Sequence, residues 1–439
     1  MQTRHQLRRN MIKMHMTGTR WIILGIGLFT VAVFAGLYWT AVSMFGTQCE
    51  KRSAKVEIEG PVKQEWAVRY HCKGGLNLGL AMALDNDGNV YVTGRGRCGG
   101  DCGEGYDYMT VKYSSSGKRL WVVRYNGPSK CDDVATAIAV DPAGNVYVTG
   151  RSAGNGHNVA TVKYDANGEE LWVARHSVGQ EGHNPALVLD KEGNVYVSVH
   201  AGTTHYTWKY SGVDGSELWF DALESNPWNY WSQSMVVDEE GNVYIGTNRD
   251  VIKYNKDGRM LLAIPTQPDP KPGRWNTVAL DRDGNIWAVG HNLAKYTAGG
   301  ELVWTTPYYD ESDPLGFYEV HAIVVNNLGE GYLVTNRETL KYAPDGGLLW
   351  TGTGGSAIAV DNMGNAYVAD PGLDYVAKYA VDGTQTWSVH HNNGSARSIA
   401  VDGSGNVYAA GSVRVKFCSD PFGGGERWFT NYLVTKFSQ

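Results

Sequence analysis

Residues 141–148 have the sequence DPAGNVYV, and this pattern of Asp-x-x-Gly-Asn followed by an apolar and an aromatic residue recurs along the chain. Seven copies of this Asp motif begin at Asp85, Asp141, Asp190, Asp238, Asp281, Asp361 and Asp402. An eroded eighth copy, NNLGEGYLV, begins at Asn326. The copies lie about 35 to 56 residues apart, and a period of this size indicates a protein built from stacked repeats.

A single unit, residues 136–175, predicts four short antiparallel strands. Its segments TAIAVD, NVYVTG, NVATVKYD and EELWVAR are rich in β-branched and aromatic residues, and turn sequences such as PAGN and ANGE separate them. These are the signals of strands joined by tight turns. Because a repeated four-stranded antiparallel sheet is the blade of a β-propeller, the sequence predicts an all-β fold of this class.

Two further landmarks occur once in each unit. A Lys-Tyr pair ends the third strand at residues 112–113, 163–164, 209–210, 253–254, 295–296, 341–342 and 378–379, with Lys436 and Phe437 as the last copy. A tryptophan marks the fourth strand at Trp66, Trp121, Trp172, Trp219, Trp304, Trp350 and Trp387, and Leu262 takes its place in one unit. We therefore expect eight blades, or seven if the degenerate unit at 320–351 does not form a blade of its own.

The order of the landmarks predicts how the ring closes. Trp66 precedes the first Asp motif, and the sequence ends just after a third strand. The strand that contains Trp66 is therefore the fourth strand of the last blade. Residues 62–70 are expected to pair with residues 431–437, which removes the sheet edges that an open array would expose. The propeller is predicted to span residues 62–439.

The units resemble the family of seven-bladed β-propeller repeats (SBBP). The segments YDYMTVKYSSSGKRLWVVRYNG and NVATVKYDANGEELWVARH are similar to its repeat. The resemblance covers most of the chain and implies the fold without a shared catalytic set, and the count of eight units departs from the family's name. NGEELW and DGGLLW also resemble the tryptophan-docking repeats of quinoproteins. Those enzymes typically use adjacent cysteines and a metal-binding acid. Since the chain has no adjacent cysteine pair, we expect no cofactor.

The N-terminal region predicts a membrane anchor. Residues 21–46 are apolar and uncharged, and they exceed both the roughly 20 residues that cross a bilayer and the apolar core of a cleavable signal peptide. The alternatives are a cleaved signal and a buried helix. Residues 1–20 are basic, so the positive-inside rule places them in the cytoplasm and the propeller outside it. Residues 47–61 are predicted to be a linker.

The charge of the chain argues against a nucleic-acid partner. The net charge is -6, and residues 1–46 contain five Lys or Arg and no acidic residue, so the rest of the chain carries -11. A mildly acidic domain repels a polyanion.

The repeated residues have an architectural and a functional interpretation. The Asp motif superficially looks like the start of a calcium loop, yet no Glu occupies the twelfth position. We favour a hairpin turn in which the Asp accepts backbone N–H groups and the Gly takes positive φ. The tryptophans could form a ligand cage, but one per blade fits packing between blades better, and the Lys-Tyr pairs are also interpreted as architecture. No metal site is expected.

The two faces of the predicted propeller differ. The turns between strands one and two and between strands three and four, here called the short-turn face, are short and monotonous. The other connections, here called the variable face, are long and chemically mixed. In proteins with a rigid scaffold, binding and catalytic residues commonly lie on such loops. Because the closing strand 62–70 runs toward the variable face, we expect the anchor and its linker to attach on the short-turn side, with the variable face pointing away from the membrane.

Clustered aromatic and charged residues on the variable face are the candidate binding site, because aromatics and Arg anchor many interfaces. The alternative is that they cap the channel. The candidates are Trp228, Tyr230, Trp231, Arg274, Trp275, Tyr308, Tyr309, Asp310, Phe317, Tyr318 and His321.

Five cysteines also fall in variable-face loops. These are Cys72, Cys98, Cys102, Cys131 and Cys418. In an oxidising compartment they would form disulfides, for which Cys98–Cys102 and a bridge from Cys72 to Cys131 or Cys418 are candidates. A zinc site in RCGGDC is the rival interpretation.

The sequence therefore predicts a single-pass, membrane-anchored, extracytoplasmic propeller that binds a protein, peptide or glycan through its variable face. The alternative is a propeller lyase or hydrolase with its site at the channel mouth. His183, His321, Glu319 and Asp133 are the ionisable groups whose convergence would favour the enzyme.

Overall fold

The computed structural model describes most of the chain from residue 56 onward. The described residues are 56–71, 76–97, 105–154, 156–179, 182–224, 234–247, 250–266, 277–309, 319–372, 375–391, 394–417 and 427–439. Nearly all of them belong to one compact unit, Ala54–Val415 with Phe429–Gln439, whose fold follows. The predicted cytoplasmic segment 1–20 and transmembrane segment 21–46 lie outside this set. Within it, no helix is both long and apolar enough to span a bilayer.

The described residues form strands and turns that build an eight-bladed propeller. The chain begins with β1 (Val56–Glu59) and β2 (Lys63–Tyr70). Blade 1 contains β3 (Asn77–Leu84), β4 (Val90–Gly96), β5 (Asp107–Tyr113) and β6 (Arg119–Tyr125). Blade 2 contains β7 (Asp133–Val140), β8 (Val146–Gly154), β9 (Gly156–Tyr164) and β10 (Glu170–Ser177). Blade 3 contains β11 (Gly182–Leu189), β12 (Val195–Ala201), β13 (Thr204–Tyr210) and β14 (Glu217–Glu224).

The next three blades repeat this order with shorter strands. Blade 4 contains β15 (Ser234–Val237), β16 (Val243–Gly246), β17 (Asp250–Tyr254) and β18 (Met260–Pro265). Blade 5 contains β19 (Thr277–Leu280), β20 (Ile286–Val289), β21 (Leu293–Tyr296) and β22 (Leu302–Thr306). Blade 6 contains β23 (Val320–Val325), β24 (Gly331–Thr335), β25 (Glu338–Tyr342) and β26 (Leu348–Thr353).

The last two blades each include a strand from the start of the chain. Blade 7 contains β27 (Ala357–Val360), β28 (Ala366–Asp370), β29 (Tyr375–Tyr379) and β30 (Gln385–His391), and β1 adds a fifth strand beside β30. Blade 8 contains β31 (Gly394–Val401), β32 (Val407–Phe417) and β33 (Arg427–Ser438), and β2 supplies its fourth strand. The prediction of eight four-stranded blades is thus confirmed.

Pairing between β2 and β33 closes the ring. The register runs from Lys63 opposite Ser438 to Tyr70 opposite Tyr432, as the order of landmarks predicted. Blade 8 has no turn between its third and fourth strands, because they come from different parts of the chain. The side chain of Gln439 takes the place of that turn, since it accepts from Lys378 Nζ and donates to the carbonyl oxygen of Gly405 at 2.9 Å.

Strand β1 corrects the predicted side of chain entry. Val56 lies opposite His391, and Glu59 lies opposite Ser388. Because β30 runs from the short-turn face to the variable face, its antiparallel partner β1 runs in the opposite direction. The chain therefore enters the propeller at the variable-face end, and the predicted attachment on the short-turn side is wrong. The cause is the short strand within the predicted linker, which turns back at Gly60 before β2 begins.

The Asp motif forms a hairpin turn, as Asp361 shows. Its Oδ1 accepts the backbone N–H groups of Met363 at 3.0 Å and Asn365 at 2.9 Å. Its Oδ2 accepts the Asn365 side-chain amide at 2.8 Å and the Tyr367 hydroxyl at 2.9 Å. Gly364 has φ of 85°, a conformation that favours glycine. Burial opposes ionisation, but these donors hold the pKa of Asp361 below its ordinary value.

Replacing the Asp361 carboxylate distinguishes the hairpin-turn interpretation of the motif from the calcium-loop interpretation. Asp361→Ala should lower the free energy of unfolding by about 2 kcal/mol, because hydrogen bonds to a charged group are lost. Asp382→Ala in the exposed turn of the same blade is the control and should have little effect. Urea denaturation measures both. Neither calcium nor a chelator should move the midpoint; a calcium-dependent midpoint that Asp361→Ala abolishes would contradict the turn interpretation.

Six of the seven fourth-strand tryptophans and several Lys-Tyr lysines donate hydrogen bonds to the next blade. Trp121 Nε1 and Lys112 Nζ both donate to the Ala166 carbonyl oxygen in the following blade, at 3.0 and 3.2 Å. Lys112 also lies 4.8 Å from the centre of the Tyr91 ring. The same pair of donors reaches Ser115 from blade 8, where Trp66 and Lys436 donate at 3.0 and 3.4 Å. Both landmarks are therefore parts of the inter-blade packing.

Candidate functional site

The mouth of the central channel on the variable face contains a cavity. Its volume is about 740 Å³, and it is lined by the first strands of blades 2 to 6 and of blade 8, by Asp370 of the second strand of blade 7, and by neighbouring connections. Most of the lining is small or polar, and three ionisable side chains face it: His321 from blade 6, Asp370 from blade 7 and Arg397 from blade 8. A cavity of this size with a few convergent polar groups is typical of a ligand site.

β-Bulges in the first strands present side chains to this cavity. The pairing with the second strand shifts between Ala135 and Ala137, between Val320 and Ala322, and between Ala396 and Ser398. The extra residues at these shifts are Thr136, His321 and Arg397, and all three line the cavity. Bulges commonly occur beside functional sites, where they re-aim a side chain.

The chemistry of the three ionisable groups differs. Burial lowers the pKa of His321, and the negative charges of Glu319 and Asp370 oppose this without reversing it, so its imidazole is neutral at pH 7. Asp370 Oδ1 accepts the Gly372 N–H at 2.6 Å. Arg397 is exposed, and none of the hydrogen bonds or ion pairs between described residues involves it. The cavity thus holds one positive group, one negative group and one neutral imidazole.

Thr277 contributes a buried hydroxyl to the same cavity. Its residue is 2% exposed, and its Oγ1 has no hydrogen-bond partner in the described part of the chain. A buried polar group without a partner costs on the order of 1–3 kcal/mol. Because this oxygen is itself inaccessible, and the buried hydroxyl of Thr435 is likewise without a partner among the described residues, Thr277 does not by itself identify a ligand.

The structure places the described members of the predicted binding site in different surroundings. His321 is brought to the cavity. Tyr308 is 3% exposed and donates to the Gly290 carbonyl oxygen at 2.9 Å, and Tyr309 packs beside it with ring centres 5.2 Å apart. Tyr308 thus belongs to the packed core of blades 5 and 6. The other predicted binding residues lie outside the described set: Trp228, Tyr230, Trp231, Arg274, Trp275, Asp310, Phe317 and Tyr318.

Four ionisable groups would favour an enzyme if they converged at the channel mouth. Of these, His321 is the one that the described cavity lining contains. Asp133 is completely buried, accepts the Gly127 N–H at 2.8 Å and bonds to Ser152. Arg175 donates to the Ser152 hydroxyl at 2.7 Å. Asp133 thus takes part in an internal polar network. Glu319 does not line the cavity, and the side chain of His183 lies outside the described set.

The disulfide prediction stays a prediction. Of the five candidate cysteines, only Cys131 is described, and its thiol donates to the Ser129 carbonyl oxygen at 3.3 Å. Cys72, Cys98, Cys102 and Cys418 lie outside the described residues. Nor does any cluster of three or more His, Cys, Asp or Glu side chains in the described ranges suit a metal ion.

The mouth residues could have been found in the sequence by their place in the repeat. The residue five positions before the Asp motif is Thr136, His321, Ser356 or Arg397 in four of the copies. All four line the cavity. The surrounding strand is monotonous, and this one position changes chemically from copy to copy. Because the residue type varies at this position while the rest of the strand stays similar, the fold does not require a particular side chain there.

A comparison with family models gave a match that agrees with the fold. Residues 120–157 match the SBBP family, described as a beta-propeller repeat. The chain carries an SBBP repeat at these residues. The matched stretch begins in the last strand of blade 1 and ends in the third strand of blade 2, so the SBBP period crosses the blade boundary. A comparison with curated proteins gave no match.

Solved structures similar to this chain include lyases and a WD40 β-propeller domain. A virginiamycin B lyase from Staphylococcus aureus is 10% identical, with 88% of this chain and all of that chain covered and a TM-score of 0.47. The WD40 β-propeller domain of Doa1 is 12% identical, with coverages of 86% and 97% and a TM-score of 0.48. A streptogramin B lyase is 13% identical, with coverages of 68% and 92% and a TM-score of 0.45. At these values no activity or site residue is transferred.

Proposed function

We propose that the protein is a binding module whose ligand site is the channel mouth on the variable face. The observation that carries this proposal is the set of first-strand bulges, which turn Thr136, His321 and Arg397 into one cavity. A bulge interrupts the ladder of hydrogen bonds, so its recurrence at the mouth favours a use for the side chain that it presents. The ligand classes that we consider are a protein segment, a peptide and a glycan.

The proposal includes a membrane anchor at residues 21–46 and a propeller outside the cytoplasmic membrane. It rests on the length and apolarity of that segment and on the basic residues before it. Since β1 begins at the variable-face end, the chain between residue 46 and Val56 reaches at most about 35 Å from that end. The mouth would therefore stay within reach of ligands at the membrane surface.

A propeller lyase or hydrolase is the second candidate. Its supporting observation is that burial keeps His321 neutral inside the cavity, and a neutral imidazole can accept a proton. A binding role is favoured, because Asp133 is committed to an internal network and Glu319 lies outside the cavity lining.

Site-specific photo-crosslinking tests the proposal in the full chain. A benzophenone amino acid placed at Ser356, in the mouth, should give a defined cross-linked product in the membrane fraction, and protease added to spheroplasts should digest that product. The same amino acid at Asp257, exposed on the short-turn face, is the control and should give none. Products only from Asp257, or from neither position, would contradict binding at the mouth. Protection from the protease would contradict the predicted location.

A further inference from the structure

The outer strands of the blades differ in polarity at their short-turn ends. Two residues precede the fourth-strand tryptophan, or Leu262 in blade 4, at this end of each outer strand. The first of the two is polar or charged in blades 1, 2, 3, 7 and 8, where it is Arg119, Glu170, Glu217, Gln385 and Gln64. In blades 4 to 6 both are aliphatic and between 40% and 57% exposed. These six residues, here called the apolar rim, are Met260, Leu261, Leu302, Val303, Leu348 and Leu349.

The turns of blades 6 and 7 extend the apolar surface onto the short-turn face. The third residue of the Asp motif is charged or small in six copies: Asp87, Ala143, Glu192, Glu240, Asp283 and Ser404. In blades 6 and 7 it is Leu328 and Met363, which are 69% and 70% exposed. A single exposed aliphatic residue is common. Here two different positions of the repeat become apolar on consecutive blades, and apolar surface collected in one region marks an interaction site.

The blades that carry the apolar rim are held side by side. A Cβ on Gly300 of blade 5 would lie 3.3 Å from the Leu262 side chain of blade 4. Trp304 Nε1 of blade 5 donates to the Pro344 carbonyl oxygen of blade 6 at 2.9 Å. Trp350 Nε1 of blade 6 donates to the Val381 carbonyl oxygen of blade 7 at 3.0 Å. The rim therefore follows neighbouring blades and ends beside blade 7.

Blade 7 is also where the N-terminal part of the chain joins the propeller. Strand β1 is the outermost strand of this blade, and its Ile58 is 41% exposed. Val56 lies opposite His391, six residues from Gln385 at the short-turn end of β30. Six residues of a strand span about 20 Å, whereas the chain between residue 46 and Val56 spans up to about 35 Å. The proposed anchor can therefore enter a bilayer beside the short-turn edge of blade 7, next to the rim.

We propose that the apolar rim docks on the lipid bilayer in which the chain is anchored. Exposed aliphatic side chains bind at the boundary between lipid headgroups and acyl chains. Because the anchor keeps the propeller at the membrane surface, docking is intramolecular, and a small apolar contact is sufficient. This inference rests on the anchor in the proposed function. In this orientation the variable face stays open to solvent, because the rim lies at the opposite ends of the strands.

Burial of aliphatic surface, rather than charge, is expected to hold the rim on the lipid. The turns beside the rim carry both signs of charge, at Lys256, Asp257, Arg259, Glu301 and Asp345. Attraction to anionic headgroups therefore contributes little. Since salt screens charges and leaves apolar burial in place, docking should be the same at low and high salt.

Quenching by labelled lipid tests the docking of the full chain in vesicles. An environment-sensitive fluorescent amino acid replaces Leu349 in blade 6 or Leu120 in blade 1, which occupy the same repeat position and are 50% and 47% exposed. The vesicles consist of phosphatidylethanolamine and phosphatidylglycerol with a nitroxide-labelled phosphatidylcholine. We expect blue-shifted emission and quenching at position 349, and neither at position 120.

Two variants link the quenching to the rim. Leu302→Gln and Leu348→Gln introduce the residue that blades 7 and 8 have at this repeat position, so folding should be retained. Each should lower the ratio of docked to undocked molecules about tenfold, because the aliphatic surface that enters the lipid is lost. Arg119→Gln in blade 1 is the matched control and should leave the quenching at position 349 unchanged. An unchanged thermal midpoint in detergent shows that the variants are folded.

The proposal is overturned if an inserted chain shows no quenching at position 349, if position 120 is quenched equally, or if both glutamine variants quench like the unaltered protein. A blue shift at position 349 that requires a high protein-to-lipid ratio and resists the nitroxide would also overturn it, and would identify a second copy of the chain as the occupant. Flotation of the vesicles in alkaline carbonate separates this inference from the anchor. A chain that does not float refutes both, whereas a floating chain without quenching at position 349 refutes the docking alone.

Discussion

Trp172→Ala is expected to lower the free energy of unfolding by about 3–5 kcal/mol, the range for removing a large aromatic side chain from a packed core. Trp172 is 9% exposed and packs between the rings of Tyr147 and Tyr210, with centres 6.1 and 6.5 Å away. Its Nε1 donates to the Gly212 carbonyl oxygen at 3.4 Å. The turn of blade 3 lies so close that a Cβ on Gly215 would be 2.6 Å from the indole.

The adjacent residue provides a matched control. Leu171 is the extra residue of the bulge in the fourth strand of blade 2, and its side chain is 51% exposed. Leu171→Ala should change stability by less than about 0.5 kcal/mol, as surface substitutions do. Chemical denaturation of both variants measures the difference. Equal losses for the two variants would show that the indole does not hold blades 2 and 3 together.

Removing the closing strand is expected to abolish folding of the monomer. A chain that begins at residue 76 lacks β2, so it exposes one edge of β33 and uncovers Tyr432 and Val434, which are completely buried. It also loses Trp66, which donates to the Ser115 carbonyl oxygen across the closure. Unpaired edges and uncovered apolar surface promote aggregation. Size-exclusion chromatography and circular dichroism measure the outcome.

A shorter truncation is the control for this deletion. A chain that begins at residue 56 keeps β1 and β2 and should fold as a monomer. A synthetic peptide of residues 56–71, added in trans, should restore folding to the chain that begins at residue 76, because it supplies the missing fourth strand. If the chain that begins at residue 76 folded unaided with unchanged stability, the closure by β2 would be refuted.

The fold was predictable because its repeats carry several independent signals. Trp66 before the first Asp motif and a third strand at the end were sufficient to predict the pairing of β2 with β33. Strand β1 was not predictable from the same signals. Its four residues, VEIE, follow no repeat landmark, and the strand exists because β30 offers an edge. Missing it reversed the expected side of chain entry.

Most of the candidate binding site stays a prediction, because eight of its eleven residues lie outside the described part of the chain. Aromatic residues such as Tyr308 were selected because they lie in a connection, yet a tyrosine can satisfy its hydroxyl with a backbone carbonyl and enter the core, as Tyr308 does. Asp370 and Arg397 line the cavity but are not among the candidates from the sequence, because neither lies in one of the long loops that were singled out there. Arg397 lies within a strand, and only its bulge turns it toward the channel. A register shift of this kind cannot be derived from strand propensity.

The closed ring of eight blades supports every functional statement, because His321 and Arg397 share one cavity only if blades 6 and 8 surround one channel. The direct test is disulfide trapping with Ala67→Cys and Thr435→Cys, which lie opposite each other in β2 and β33. Directly opposed residues of antiparallel strands are close enough for a disulfide. We predict a link between positions 67 and 435 in non-reducing peptide mass spectrometry. The control pair Ala67→Cys and Ser438→Cys, displaced along the strand, should not link. No link at 67 and 435, or equal linking in the control, would contradict the closure.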